Sequence, residues 1–287
     1  MKSITYYLLL TILLPALISC GTNVDNKEII LATTTSVQDS GLLDVLTDAF
    51  RKETGYKIKA IAVGSGEAMA LARRGEADVL LVHSPKDEET FMQEGFGKSR
   101  ATFMYNYFVI VGPPDDPAGC SQTASAKEAF ARIAEKQANF ISRGDNSGTH
   151  KKETALWKET SASPKGKWYI QAGVGMGQTL LIAGEKKAYT LSDKGTYLAF
   201  SAEGGKSKLA LKIVRDGVPD LKNNYSVIVL NPDKFPKINP APARRSWVNL
   251  AGAQAFADFL VSPATLKLIS EYGRDKYGEP LFYLMGK

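Results

Sequence analysis

Seven short segments of strand character recur along this chain, and helical patterns fill most of the gaps between them. They are Glu28 to Ala32, Lys57 to Val63, Val79 to His83, Tyr105 to Gly112, Phe140 to Arg143, Lys187 to Leu191 and Ser226 to Asn231. Alternation of this kind predicts an α/β fold of mostly parallel sheets with helices on both faces. Ligands of such open sheets bind beyond the carboxyl ends of the strands. The turns at those ends are therefore where chemistry is expected.

Three of these turns share a composition. Glu28 to Ala32 runs into Thr33, Thr34, Thr35 and Ser36, followed by Gly41 and the helical pattern Leu42, Leu43, Val45, Leu46, Phe50. Lys57 to Val63 runs into Gly64-Ser65-Gly66 and then the helical stretch Glu67 to Arg74. Ser142-Arg143-Gly144-Asp145-Asn146-Ser147-Gly148-Thr149-His150 precedes a stretch, Lys151 to Glu159, without Gly or Pro, which predicts a helix starting near Ser147 to Thr149. The first four amides of a helix lack internal partners and sit at the positive end of its dipole, so they can hold an anion. Arg143 adds a fixed charge whose planar fork donates two hydrogen bonds, and Gly144 and Gly148 let the backbone approach closely. Four hydroxyls at 33–36 exceed what one helix cap needs.

Composition narrows the function classes. The chain has 287 residues, 44% of them hydrophobic and 23% charged, enough for a substantial core. Its formal charge is +6, but Lys86, Lys98, Lys151, Lys152, Lys165, Lys186 and Lys187 are scattered among acids and form no continuous stripe for nucleic acid. The two cysteines, Cys20 and Cys120, and the two histidines, His83 and His150, do not make a usual zinc site. Cys120 reads as a passive residue.

The first residues read as a leader. Met1-Lys2-Ser3 is a short positive start, Ile4 to Ile18 is almost unbroken apolar sequence, and Leu17-Ile18-Ser19-Cys20 closes it. The ending resembles a bacterial lipobox, which predicts removal of 1–19, lipid attachment at Cys20 and a polar tether over 20–27. An ordinary signal peptide that happens to contain a cysteine is the alternative.

Two long strand-like runs end in proline turns: Thr102 to Val111 before Gly112-Pro113-Pro114, and Tyr225 to Asn231 before Pro232. They suggest two crossings between lobes, with 28–107 and 232–287 forming a discontinuous first lobe and 108–231 the second.

The motifs Ala32-Thr33-Thr34-Thr35-Ser36, Val63-Gly64-Ser65-Gly66, Ala77-Asp78-Val79-Leu80 and Ser142 to His150 together resemble those of the tungstate-binding TupA proteins of bacterial ABC transporters. The likeness continues through Val174-Gly175-Met176-Gly177-Gln178-Thr179-Leu180 and Tyr189 to Tyr197, and covers nearly the whole chain after the leader. It implies a two-lobe, type II periplasmic-binding-protein-like fold that closes on an oxyanion. By the same resemblance, Thr34, Thr35, Ser36 and Ser65 donate from lobe one, and Arg143, Ser147, Gly148 and Thr149 from lobe two, with Met176 donating through its backbone. It further implies tungstate or molybdate as cargo, no cofactor, a permease and its ATPase as partners, and a monomer at the periplasmic or outer face of the cytoplasmic membrane.

The residue types agree with that chemistry. Tungstate carries no proton at neutral pH, so its site needs donors only, whereas hydrogen phosphate carries a proton that a carboxylate can accept. Asp78 and Asp145 decide between them, since either one facing the ligand favours a phosphate receptor. Asp145 reads as a turn cap or a partner of Arg143, and Asp78 as an anchor. A serine hydrolase is the remote alternative, because His150 lies close to Ser147, but Gly-x-Ser-x-Gly is absent. A structural lipoprotein would leave the three donor turns unexplained.

Overall fold

The computed structural model describes residues 27–202, 209–235 and 248–286. The leader, Cys20 and nearly all of the tether lie outside them. The chain opens with β1 (Glu28–Thr34), the short α1 (Thr35–Asp39) and α2 (Leu42–Thr54), then β2 (Lys57–Val63), α3 (Ser65–Arg73), β3 (Val79–Val82) and α4 (Pro85–Gln93). A long strand, β4 (Gly97–Gly112), leads to α5 (Ala126–Glu135), β5 (Phe140–Ser142), α6 (Gly148–Glu159), β6 (Tyr169–Gln171), α7 (Met176–Glu185), β7 (Thr190–Asp193), α8 (Lys194–Ala202) and β8 (Lys212–Arg215). The return strand β9 (Lys222–Leu230) precedes α9 (Leu250–Val261), α10 (Pro263–Glu271), α11 (Arg274–Tyr277) and β10 (Tyr283–Leu284).

The first lobe is built on the order β2-β1-β3-β9-β4-β10. Its β-α-β units make β1 parallel to β2 and β3, whereas β9 runs antiparallel to both β3 and β4. In the second lobe β5 and β6 pair in parallel, with a parallel bridge from Phe140 to Tyr189, and β7 and β8 add antiparallel to β4. The fold is thus a two-lobe mixed α/β architecture, with parallel strands beside the helical crossovers.

β4 joins the lobes. From Gly97 to Tyr107 it pairs with β9, and from Phe108 onward with β7 and β8. The reading of 108–231 as lobe two needs correction at its far end. β9 pairs along its length with β4 and β3, so the return crossing falls before Lys222. The physical reason is the two-residue alternation of β9: Tyr225, Val227 and Val229 enter one first-lobe core, Ile228 and Leu230 the other.

The same alternation splits every central strand between two cores. Ile29 and Leu31 of β1, and Val79 and Leu81 of β3, face the core closed by α2 and α9, while Ala32, Leu80 and Val82 face that closed by α3. In lobe two, Phe108 and Ile110 pack with Phe130, Phe140 and Trp157, and Val109 and Val111 with Ile141, Met176 and Leu180. Each such fully buried aliphatic or aromatic side chain contributes roughly 1.5–3 kcal/mol. These cores fix the ends of β1 and β3 within lobe one and those of β5 and β7 within lobe two.

Asp78 is one of the anchors. Its Oδ2 accepts from Ile30 N and its Oδ1 from Asn249 N, both at 2.7 Å, tying β1 and the start of α9 to the β3 entry. It sits at the amino end of β3, opposite the end where β3 meets the other lobe.

Candidate functional site

Four helix starts are gathered where the lobes meet. A Cβ placed on Gly64, which precedes α3, would lie 3.2 Å from the Cα of Ser147, the residue before α6. One placed on Gly66 would meet the Lys151 ammonium at 3.3 Å. One on Gly148 would fall 2.4 Å from Cε1 of His83, just past the end of β3. At Gly148 a side chain would collide with the imidazole and at Gly64 it would press on the Ser147 backbone, so glycine at these two positions permits the approach, whereas at Gly66 the lysine end can move aside. Lys151 pairs with Asp87 and Lys194 with Glu279, and both ion pairs join lobe two to lobe one.

Three of these helix starts keep their donors open. Thr34, Gly64 and Gly175 precede α1, α3 and α7 without any side-chain cap, whereas α5, α9 and α10 are capped by Ser125, Asn249 and Ser262. Ser65, first in α3, is wholly buried and its hydroxyl finds no partner among the described residues. At α6, Ser147 caps by accepting from His150 N at 3.2 Å, and Gly148 and Thr149 follow as buried first-turn residues. The turn before α7 is tied to the Arg143 segment: Ala172 N donates to Ser142 O and Gly173 N to Arg143 O, each at 2.8 Å. The Met176 side chain belongs to the lobe-two core, which leaves its backbone N–H as the group it can offer.

Arg143 is buried, and its Nη2 donates to Asp145 Oδ2 at 2.5 Å, while its Nε has no partner among the described residues. Asp145 also accepts from Ser147 N at 3.1 Å. It therefore both caps the turn and pairs with the arginine. The Arg143 charge reaches the groups around it, opposing protonation of His83 and His150 and favouring the ionised forms of Asp39 and Asp193.

On the lobe-one side, Thr34 is buried and its Oγ1 lies 3.1 Å from Ser36 Oγ, while Thr33 turns away to donate to Leu81 O at 2.9 Å. Thr35, between them, is half-buried. Ser36 Oγ also lies 3.3 Å from His83 Nε2 and 3.1 Å from Tyr225 OH. Behind Tyr225 stand Asn106 and Asn223, both buried, with Asn223 Nδ2 donating to Asn106 Oδ1 at 2.8 Å.

These last four residues, His83, Tyr225, Asn106 and Asn223, are absent from the sequence-derived set, which considers His83 only as a metal ligand. A signal was available: His83 is the polar last residue of the strand expected over Val79 to His83, and Asn106 interrupts an otherwise apolar and aromatic run. Asp193 is a further omission. It is buried, accepts from Thr196 N at 2.9 Å through Oδ1, and its Oδ2 has no partner among the described residues. Burial raises its pKa above the usual carboxylate range. At the rim, Asp39 is exposed as a residue, yet desolvation of its carboxyl, followed by the charge of Asp193, pushes its pKa up to about 6 against the pull of Arg143.

His83 is uncharged at neutral pH, because burial depresses its pKa to about 4. His150 does not face Ser147 Oγ as a base would: its Nδ1 accepts from Asn146 N at 2.9 Å. Cys120, far from this region, is buried among lobe-two apolar side chains and its thiol is pushed up to about 12, chiefly by burial.

A model of the PBP superfamily domain matches residues 21–264. The chain is 47% identical over 257 residues to the tungstate-binding protein TupA of Peptoclostridium acidaminophilum, covering 89% of this chain and 85% of that protein. It belongs to the TupA family of the PBP superfamily. Two solved structures agree in fold. The tungstate ABC transporter structure from Geobacter sulfurreducens is 46% identical with a TM-score of 0.74, over 85% of this chain and 98% of that one. The tungstate-binding protein TupA from Desulfovibrio alaskensis G20 is 40% identical with a TM-score of 0.75, over 91% of this chain and 99% of that one. The type II fold expected from the motifs is the fold of this family.

Proposed function

We propose that this chain is the solute-binding component of an ABC transporter, which captures tungstate between its two lobes and delivers it to a permease and its ATPase. The observation that carries this reading is the meeting, between the two lobes, of uncapped helix starts with a buried arginine and a buried serine hydroxyl that both retain donors without a partner among the described residues. A dianion buried there is stabilised if each oxygen receives hydrogen bonds from groups already in place. Thr34, Thr35, Ser36 and Ser65 donate from lobe one. Arg143, Ser147, Gly148, Thr149 and the Met176 amide donate from lobe two.

The two carboxylates that would have argued for phosphate do not oppose this. Asp78 is engaged by backbone amides of lobe one, and Asp145 by Arg143 and Ser147. Asp193, with one buried oxygen that has no partner among the described residues, is the group through which a phosphate reading would have to work. The names of the relatives, and a His150 imidazole held by its own turn, support a receptor rather than a hydrolase. No helix among the described residues is long and apolar enough to cross a membrane. We place the protein outside the cytoplasm, as a monomer held by lipid at Cys20, with tungstate or molybdate as cargo and no cofactor.

Calorimetric titration of the protein begun after Cys20 with tungstate, molybdate, sulfate and phosphate tests this. Tight tungstate binding with weak sulfate and phosphate is expected. Phosphate binding best would overturn the assignment and bring Asp193 into the site.

A further inference from the structure

The hydrogen bonds behind Ser36 run in one direction only. Asn223 Nδ2 donates one proton to Asn106 Oδ1 at 2.8 Å and lies 3.2 Å from the phenol oxygen of Tyr225. Asn106 Nδ2 donates to the same phenol oxygen at 3.3 Å. A phenol oxygen with two N–H donors on it has its acceptor capacity filled, so its own proton must go elsewhere. The remaining neighbour is Ser36 Oγ, at 3.1 Å. Tyr225 is buried and burial raises its pKa, so that proton stays on the phenol at any physiological pH.

Ser36 therefore accepts from Tyr225, and its second lone pair faces His83 Nε2 at 3.3 Å. Its single proton is then the one group it can still give. A bound dianion is a stronger acceptor than the Thr34 hydroxyl or a neutral imidazole, since hydrogen bonds to a charged partner are about twice as strong as neutral ones. With the Ser36 proton on the anion, the contact to His83 is a hydrogen bond only if Nε2 carries the imidazole proton and donates.

We infer that Asn106, Asn223 and Tyr225 form a positioning relay that makes Ser36 an obligate donor toward the cleft. This rests on the reading of Ser36 as a ligand contact in an oxyanion receptor. Its consequence is selectivity. An oxyanion that bears a proton, such as hydrogen phosphate, needs an acceptor for it; the relay fills one Ser36 lone pair, and His83, with its proton on Nε2, fills the other. Discrimination against protonated anions is thus written into residues of β4 and β9 that need not touch the ligand.

The test is a double-mutant cycle on Tyr225→Phe and Ser36→Ala, read by titration with tungstate and with phosphate, with thermal melts to establish folding. Tyr225→Phe keeps the ring and removes the directing proton. It should weaken tungstate about tenfold and lower the preference for tungstate over phosphate by about fivefold or more, because a Ser36 lone pair becomes free to accept. In the Ser36→Ala background the same change should alter tungstate affinity by less than about twofold. Equal losses in both backgrounds, or an unchanged preference in Tyr225→Phe, would overturn the relay. If Tyr225→Phe misfolds, Asn223→Asp, which replaces a donor by an acceptor on the phenol, carries the same expected loss of preference. A wild-type protein that prefers another unprotonated oxyanion, such as molybdate or sulfate, refutes the proposed cargo and not the relay, since the cycle then runs with that anion, whereas one that prefers phosphate overturns both.

Discussion

Replacing Gly148 by alanine separates lobe closure from folding. Gly148 opens α6 and its φ is not in the left-handed region, so alanine fits its backbone without strain. Alanine is also the better helix former, by at most about 1 kcal/mol. Its methyl, however, would sit 2.4 Å from His83 Cε1, 2.9 Å from Nδ1 and 3.1 Å from Nε2. The imidazole has little room to swing aside, being packed at 4.8 Å centroid distance on Tyr225 and held at Nε2 by Ser36. Ordinary carbon contacts begin near 3.5 Å, so the lobes must stand apart by roughly 1 Å. That stretches hydrogen bonds from one lobe to an anion held on the other to about 3.9 Å, where they no longer count as bonds. Losing two hydrogen bonds to a charged ligand, at about 1.5–3 kcal/mol each, weakens binding by roughly 10²- to 10⁴-fold. Calorimetry with tungstate and melting of the unliganded protein read the two effects separately. Affinity should fall at least about a hundredfold while the unliganded melting temperature holds or rises slightly. Unchanged affinity would refute the closed-lobe geometry, and a collapsed melting temperature would show that Gly148 serves the fold of lobe two instead.

Arg143→Ala should weaken tungstate binding by on the order of 3 kcal/mol or more, as truncation of a buried charge partner does, and titration with unaltered affinity would move the site elsewhere. Glu153 is buried, accepts from Trp157 Nε1 and Tyr169 OH, and burial pushes its pKa up to about 7 from 4.5. Its native pKa lies above the unfolded value, so the protonated form favours the fold below about 4.5, and that advantage is lost as pH rises through 7. Glu153→Gln should therefore be more stable than wild type at pH 8, with an upper bound on the order of 3 kcal/mol, and no more stable near pH 4; denaturant melts at the two pH values check this, and a pH-independent difference would contradict it. Cys120, buried with its thiol pushed up to about 12, should resist iodoacetamide in the native protein at pH 8 and react in denaturant, as mass spectrometry would show. Rapid native alkylation would mean lobe two opens readily.

Much of the candidate site was legible because its signals are local. The Thr33 to Ser36 turn, the Gly64 to Gly66 turn and the Ser142 to His150 segment lie where β1, β2 and β5 end, and α6 begins at Gly148, within the expected window. Asp145 pairs with a residue two positions away, so composition alone could anticipate its role. The strand expected over Lys187 to Leu191 is instead β7 at Thr190–Asp193, because Lys187 takes a positive φ of 47° in the turn after α7. β6, β8 and β10 are two to four residues long and carry too little periodicity to register.

By itself the sequence determined the strand-and-helix alternation, the donor-rich turns at strand ends and the family's motifs, all set by interactions within a few residues. Tertiary structure alone decided that β9 belongs to lobe one, that Gly148 faces His83, and that Tyr225 meets Ser36 from 189 positions away. Backbone propensity and capping act over one or two turns of chain. Which strand edges pair, and which buried hydroxyl finds which partner, depends on how the two lobes pack and close, and no short stretch of sequence carries that information.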